Sequence, residues 1–160
     1  MAEIVRAGPD DWRRVRAVRL RALRDAPDAF WATAAEEAAL SEAQWRERLA
    51  LAATFLALRD GDHVGLAVGG PHWREPSDAG LTGMWVAGPL RGSGTATALI
   101  ATVVAWARVA GYRRLRLEVA DDNHRAVRFY ERLGFVPTGW RGTMPPPRDH
   151  IAEHERVLEL

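Results

Sequence analysis

The sequence predicts a single α/β or α+β domain. Strand-like runs alternate with amphipathic helical runs from end to end, the pattern of helices packed on a sheet. No repeat, linker or low-complexity stretch divides the chain. Its 160 residues suit one hydrophobic core and are too few for two ordinary domains. With 48% hydrophobic and 27% charged residues, the composition is globular.

Glu3 to Ala7 reads as a short strand, followed by a turn and helix cap at Gly8-Pro9-Asp10-Asp11. From Trp12 to Asp25 the pattern is helical, with Trp12, Val15, Val18, Ala22 and Leu23 on one side and most arginines opposite. Arg19 projects onto the apolar arc and needs a partner there. Ala26-Pro27-Asp28 interrupts. A second helix covers Ser41 to Ala52, with Ser41 as its cap and Gln44 three residues on. Thr54 to Arg59 and His63 to Gly69 are strands joined by Asp60-Gly61-Asp62, a hairpin signal. Pro71 to Asp78 is a loop and Leu81 to Val86 another strand. An alanine-rich helix runs from about Gly94 to Ala110 and stops at Gly111. Arg113 to Val119 alternates polar and apolar, a strand with one buried face. Asn123 to Leu133 is a helix stopped at Gly134, and Phe135 to Thr138 a short strand. Three prolines at 145–147 forbid regular structure, and Glu153 to Leu160 closes the chain as a strand that offers an edge to a homodimer without fixing the oligomeric state.

Absent residue types narrow the chemistry. There is no cysteine, and all 22 of the Lys+Arg residues are arginine. A thiol nucleophile, a disulfide framework, a thiolate zinc site, a Schiff-base lysine and a P-loop lysine are therefore excluded. A formal net charge of +1 gives no electrostatic reason to expect nucleic acid. Neither a signal peptide nor an apolar run of roughly 18 residues is visible, so no membrane partner and a cytoplasmic location are expected. His150-Ile151-Ala152-Glu153-His154 spells a zinc-protease pattern, but that chemistry needs a helix. Histidines four apart on a strand stand about 13 Å from each other, too far to share an ion. No metal is expected.

Two stretches carry the chemistry. Val86-Ala87-Gly88-Pro89-Leu90-Arg91-Gly92-Ser93-Gly94-Thr95-Ala96 lies between a strand and a long helix. Glycines there admit a ligand close to the backbone, and the free amides of a helix N-terminus bind phosphate without lysine. Taken alone, an ordinary glycine-rich turn accounts for it equally well. The second stretch runs from Glu118 through Asn123 and Ala126 to Phe129-Tyr130 and Gly134-Phe135. Singly, Asn123 reads as a helix cap and Tyr130 as a half-buried aromatic.

Together, in this order and spacing, they resemble the GNAT superfamily of N-acetyltransferases. Arg91-Gly92-Ser93-Gly94-Thr95-Ala96 is similar to that family's Arg/Gln-x-x-Gly-x-Gly/Ala pyrophosphate signature. Asn123 through Phe135 is similar to its Asn-x-x-Ala-x-x-Phe-Tyr-x-x-x-Gly-Phe segment. The likeness is strong over Leu81 to Thr138 and extends over most of the chain; the usual proline sits one residue late, at Pro89.

The resemblance implies a mixed sheet of six to seven strands, helices on both faces, and a splayed strand pair that admits acetyl-CoA. It implies that the backbone of Met84, Trp85 and Val86 holds the pantetheine and thioester. Arg91 lies in the pyrophosphate signature, where the amides of Gly92, Ser93, Gly94, Thr95, Ala96 and Thr97 take the phosphates, and Asn123 lies beside the pantetheine arm. The implied reaction is direct acetyl transfer to an amine, with Tyr130 as the acid for the departing thiolate. Glu118 stands where the ribosomal-protein alanine acetyltransferases carry their base, and an ion-pair role fits it equally well. Glu36 and Glu37 are rival bases or substrate anchors, and a water chain is a further alternative. Trp31, His72, Trp73, Arg74, Trp85 and the loop over 140–148 are the residues expected near the acceptor. A small-molecule amine is the favoured acceptor, a protein N-terminus the second reading, and an acyl-CoA-binding module without turnover the third.

Overall fold

The computed structural model describes residues 2–160. Strands β1 (Glu3–Ala7), β2 (Ala53–Arg59), β3 (Asp62–Pro71) and β4 (Ala79–Val86) form one antiparallel half of a mixed sheet. Strands β5 (Arg114–Ala120), β6 (Val136–Thr143) and β7 (Ala152–Glu159) form the other half, and the order across the seven is β1-β2-β3-β4-β5-β7-β6. Helices α1 (Trp12–Asp25), α2 (Ala34–Ala38) and α3 (Glu42–Leu51) precede β2. Helix α4 (Thr95–Val109) follows β4, and α5 (His124–Arg132) follows β5.

The β2–β3 hairpin turns through Asp60 and Gly61, both at positive φ (51° and 78°), the geometry of the tight turn that its sequence predicts. Ser41 caps α3 and Gln44 returns the bond, as expected. Thr33 and Glu36 form a second such box at α2, a helix absent from the sequence reading although the Thr-x-x-Glu signal was there.

Side-chain alternation assigns the two faces. Added Cβ atoms on Gly65 and Gly69 would meet Leu99 and Trp106 of α4, so this face of β3 is turned to α4. Its neighbours on that face are Ala53, Ala57 and Ala67, small residues that let the helix approach closely. Leu56 and Leu66 point the other way, toward α1 and α3. Because Leu115 pairs with Ala79 and Arg116 with Gly80, the same division continues into β5: Leu115, Leu117 and Val119 share the α4–α5 face, and Arg116 and Glu118 the α1–α3 face.

The terminal strand is not an edge. β7 lies between β5 and β6, paired antiparallel to both, so the outer strands are β1 and β6. Chain order misled here: β6 runs out to the rim, and the loop containing 145–147 returns the chain into the gap beside β5. β6 is also longer than expected, continuing past a register shift where Gly139 has φ 93°. Among the described residues, no helix is long and apolar enough to cross a membrane.

Candidate active site

β4 and β5 pair only at Ala79–Leu115 and Gly80–Arg116, then diverge. On β4 the divergence coincides with a bulge, where the register shifts opposite Ala67 and Gly83 takes φ 63°. The bulge breaks the ladder beside Met84.

A cavity of about 590 Å³ opens from this gap between α4 and α5. Met84, Trp85 and Val86 form its strand wall. Arg91, Gly92, Gly94, Ala96 and Thr97 form one end, and Asn123 and Tyr130 the α5 side. Gly92 and Gly94 have φ of 82° and 89°, which L side chains rarely adopt, and nothing stands within 4 Å of where a Cβ would sit. The first helical bond runs from Ala98 N–H to Gly94 O, so the amides of Thr95 to Thr97 precede the α4 ladder and face outward. Ser93 and Thr95 do not line the cavity. The Ser93 hydroxyl donates to Leu90 O at 2.6 Å, and Thr95 is buried. Asn123 caps α5 by accepting from Ala126 N–H at 3.3 Å.

Three basic or acidic groups at this cavity escaped the sequence reading. Asp25, at the end of α1, accepts from Arg91 and from the Trp85 indole, both at 2.9 Å, and so fixes the loop to the sheet. Arg125 and Arg132 also line the cavity, and neither has an ion pair among the described residues. Their signal was their mutual spacing of seven residues, which puts both on one face of α5.

Tyr130 is buried against Phe129 and Phe135, with ring centroids 5.5 and 5.6 Å away. Burial pushes its phenol well above the ordinary value, so it carries its proton throughout the neutral range.

Glu118 lies two residues past the last β4–β5 pair, on the other face of the sheet. His72 Nδ1 accepts the backbone N–H of Glu75 at 3.1 Å, which places the ring proton on Nε2. That Nε2–H meets Glu118 Oε1 at 2.6 Å, and the Trp73 indole donates to the same oxygen at 3.1 Å. Oε2 receives no donor among the described residues. Burial raises the Glu118 carboxyl above the usual range and, with the neighbouring Glu155 carboxylate adding to it, outweighs both donors. Directly across the β5–β7 ladder stands Glu155, wholly buried. Burial opposes its charge too, but Arg74, Thr138, Glu118 and Arg116 together overcome that and hold it low. Ligand atoms of His72, Glu118 and Glu155 lie within 4.8 Å of one another, a metal-like spacing. Two guanidinium groups on Glu155 would repel a cation there, and the cluster is satisfied as a hydrogen-bond network.

Glu36 spends its carboxylate on the Thr33 cap. Glu37 is buried and accepts from Arg19 at 2.9 and 3.2 Å and from Arg48 at 3.1 Å, which gives Arg19 its partner on the apolar face. Burial works against its charge, yet the two arginines prevail and hold it below the usual range. Trp73 is exposed beside Trp31 and Trp140. Arg148, at the end of the loop expected near the acceptor, donates from the β6–β7 loop to the carbonyls of Pro27, Phe30 and Trp31, binding that loop to the α1–α2 segment.

The model of the acetyltransferase (GNAT) family matches residues 18–135, most of the chain. The chain belongs to the GNAT acetyltransferase family. It is therefore an acyltransferase that uses acetyl-CoA. None of the curated proteins compared with it matches. Among solved structures, a GNAT acetyltransferase from Streptococcus pneumoniae is 20% identical with TM-score 0.80, covering 100% of both chains. A ribosomal-protein-alanine N-acetyltransferase from Brucella melitensis is 20% identical with TM-score 0.77, covering 99% of each. A Salmonella typhimurium protein solved with its cofactor acetyl-CoA is 18% identical with TM-score 0.76, covering 100% of this chain and 94% of its own. At these identities the likeness speaks for the fold. Open glycines, outward amides and unpaired arginines fit the diphosphate of acetyl-CoA.

Proposed function

We propose that the protein is a cytoplasmic N-acetyltransferase that acetylates a primary amine of a small molecule, with Glu118 as base and Tyr130 as acid. The observation that carries this reading is the position of the β4–β5 gap. It joins the cavity between α4 and α5, where Tyr130 stands, to the opposite face, where Glu118 stands with Oε2 free. Acetyl-CoA supplies the acyl group as a thioester; the new bond is amine nitrogen to carbonyl carbon, and the bond broken is carbon to sulfur. Met84, Trp85 and Val86 hold the pantetheine side of the gap, and the broken ladder at the bulge leaves backbone amide to polarise the carbonyl. Arg91 acts through its bond to Asp25, and the amides of Gly92 and of Gly94 to Thr97 take the diphosphate with Arg125 and Arg132 beside them; the Ser93 N–H is spent on Leu90 O. Asn123 acts as the α5 cap that borders the pantetheine.

An alkyl ammonium with a pKa of about 10 must lose a proton before it attacks. Glu118 Oε2 takes it, and His72 positions the carboxylate through Oε1. Tyr130, kept protonated by burial, donates toward the sulfur as it leaves. Glu36 and Glu37 are occupied as cap and as ion-pair centre, and act as framework rather than as bases. Arg148 ties the β6–β7 loop to the α1–α2 segment, and the closure of that side favours a small acceptor over a protein N-terminus.

The test is release of the CoA thiol with a panel of small amines and N-terminal peptides, in wild type and Glu118→Gln. We expect release with amines and a 10²–10⁴-fold lower kcat/KM in the variant. The acid limb of the wild-type profile should lie above the ordinary glutamate range, because burial raises Glu118. Equal rates in both proteins would remove Glu118 from the reaction, and release with peptides alone would replace the acceptor class.

A further inference from the structure

Glu118 and Glu153 are two carboxylates on one face of the sheet that no guanidinium neutralises. Glu153 is 4% exposed, and its only side-chain donor among the described residues is the Trp31 indole, at 3.0 and 3.1 Å. Glu118 has the donors His72 and Trp73 and no arginine. The neighbouring arginines are spent elsewhere: Arg116 on Asp78 and Glu155, Arg74 on Glu155 and Glu75. Buried carboxylates without a cationic partner are rare.

Above these two groups stand aromatic rings open to solvent. Trp31 is 40% exposed and Trp73 53%, in an edge-to-face pair 5.4 Å apart at 70°. Trp140 meets Trp73 in the same way, at 5.8 Å and 75°. The indole N–H edges of Trp31 and Trp73 are pinned by the carboxylates themselves, so both rings are held upright. Faces of tryptophan attract organic cations, and a carboxylate floor adds the counter-charge. Anchored aromatic walls and buried carboxylates that no guanidinium reaches fit the same partner, a cation.

Register sets the span. Glu118 pairs with Glu155 and Ala120 with Glu153, so Glu118 and Glu153 are diagonal neighbours, roughly 7–8 Å apart along the ladder. A few methylenes bridge that distance.

We propose that the acceptor is a dication, a short diamine or polyamine whose reacting nitrogen lies at Glu118 while its second ammonium lies at Glu153 between the tryptophan faces. This rests on the reading that Glu118 borders the acetyl group. The distal ammonium is held and stays charged, and only the nitrogen at Glu118 loses its proton. An amine bearing a carboxylate is repelled by the same floor.

Two measurements on the intact protein separate this inference from the acetyltransferase reading. In thiol release, a short α,ω-diamine should exceed the monoamine of equal length at least tenfold in kcat/KM, mostly through KM. Glu153→Gln should bring that ratio to within about twofold of one. In calorimetry, hexamethonium, which has no hydrogen to exchange for acetyl, should bind at least tenfold tighter than tetramethylammonium. Trp73→Ala, a change at an exposed side chain, should abolish that preference. Equal kcat/KM for diamine and monoamine, or better turnover of amino acids, overturns the dication and leaves acetyl transfer standing. Hexamethonium preference without thiol release from any amine supports the cation site and overturns the acetyltransferase reading. Absence of any hexamethonium preference overturns the site.

Discussion

Replacing Glu37 by Gln tests what holds the α1–α3 face together. The carboxylate is 2% exposed and takes a two-pronged bond from Arg19 and a single one from Arg48. Their side chains differ in freedom: Arg48 is 49% exposed and can swing into water, whereas Arg19, 18% exposed with its guanidinium over the Phe30 ring at 4.9 Å, cannot. The loss is therefore dominated by one buried guanidinium without a counter-charge. Breaking such a pair costs about 3–5 kcal/mol, and with Arg48 able to leave we expect about 3 kcal/mol. For a chain of this size that lowers Tm by about 6–12 °C. The sign with pH follows from the direction of the shift. Glu37 is held below its unfolded value, so its contribution is complete above that unfolded value and is lost as pH falls through the folded one. Melting followed by far-UV circular dichroism should show the full gap between wild type and Glu37→Gln at pH 7. The gap should close on acidification below the usual carboxylate range. Arg19→Met with Glu37→Leu should recover most of the loss, because two apolar groups leave nothing unpaired but Arg48, which reaches solvent. A Tm within about 2 °C of wild type, with acetyl transfer abolished, would refute the structural role and return Glu37 to the acceptor.

Tyr130→Phe should lower kcat roughly tenfold or more while leaving acetyl-CoA affinity nearly unchanged, read by single-turnover kinetics and calorimetry; an unchanged kcat removes the phenol from the reaction. Gly94→Glu should abolish acetyl-CoA binding, because it puts bulk and negative charge at the N-terminus of α4 and forces φ 89° on a side-chain residue. Full affinity in calorimetry would displace the phosphates from that loop. Gly69→Ala should cost about 1–3 kcal/mol, since its Cβ would stand 2.7 Å from the Trp106 ring. A neutral urea midpoint would show that α4 can retreat.

Legibility in the sequence followed the range of the interaction. The hairpin at Asp60-Gly61, the Ser41 cap and the α5 cap at Asn123 rest on neighbours a few residues apart, and all are as read. Arg19 announced by its position on the apolar arc that it required a partner, but not that Glu37, eighteen residues on, supplies it. Local signals cannot rank partners across a fold. The place of β7 was lost for the same reason, since pairing order depends on where β6 goes. On the cofactor side the loop is one contiguous stretch, so Gly92 and Gly94 were visible together. On the proposed acceptor side Trp31, His72, Trp73, Glu118 and Glu153 come from four separate segments, and only the assembled sheet brings them to one face.

That division between faces explains how one strand serves two tasks. Along β5, Leu115, Leu117 and Val119 are buried toward α4 and α5, while Arg116 and Glu118 alternate with them toward α1–α3. On β7, Arg156, opposite Leu117, reaches Glu131 of α5 at 3.0 Å, whereas Glu155, opposite Glu118, meets Arg74 and Arg116. A slip of one residue in the β5–β7 register would carry the carboxylates into the apolar core and the leucines onto the acceptor face. The ion pairs at Glu155 hold against that slip, because Arg116 reaches Glu155 and Asp78 together only in the observed register. The charged network beneath the tryptophans thus secures the sheet and also leaves Glu118 and Glu153, the two carboxylates it does not consume, facing the proposed acceptor site.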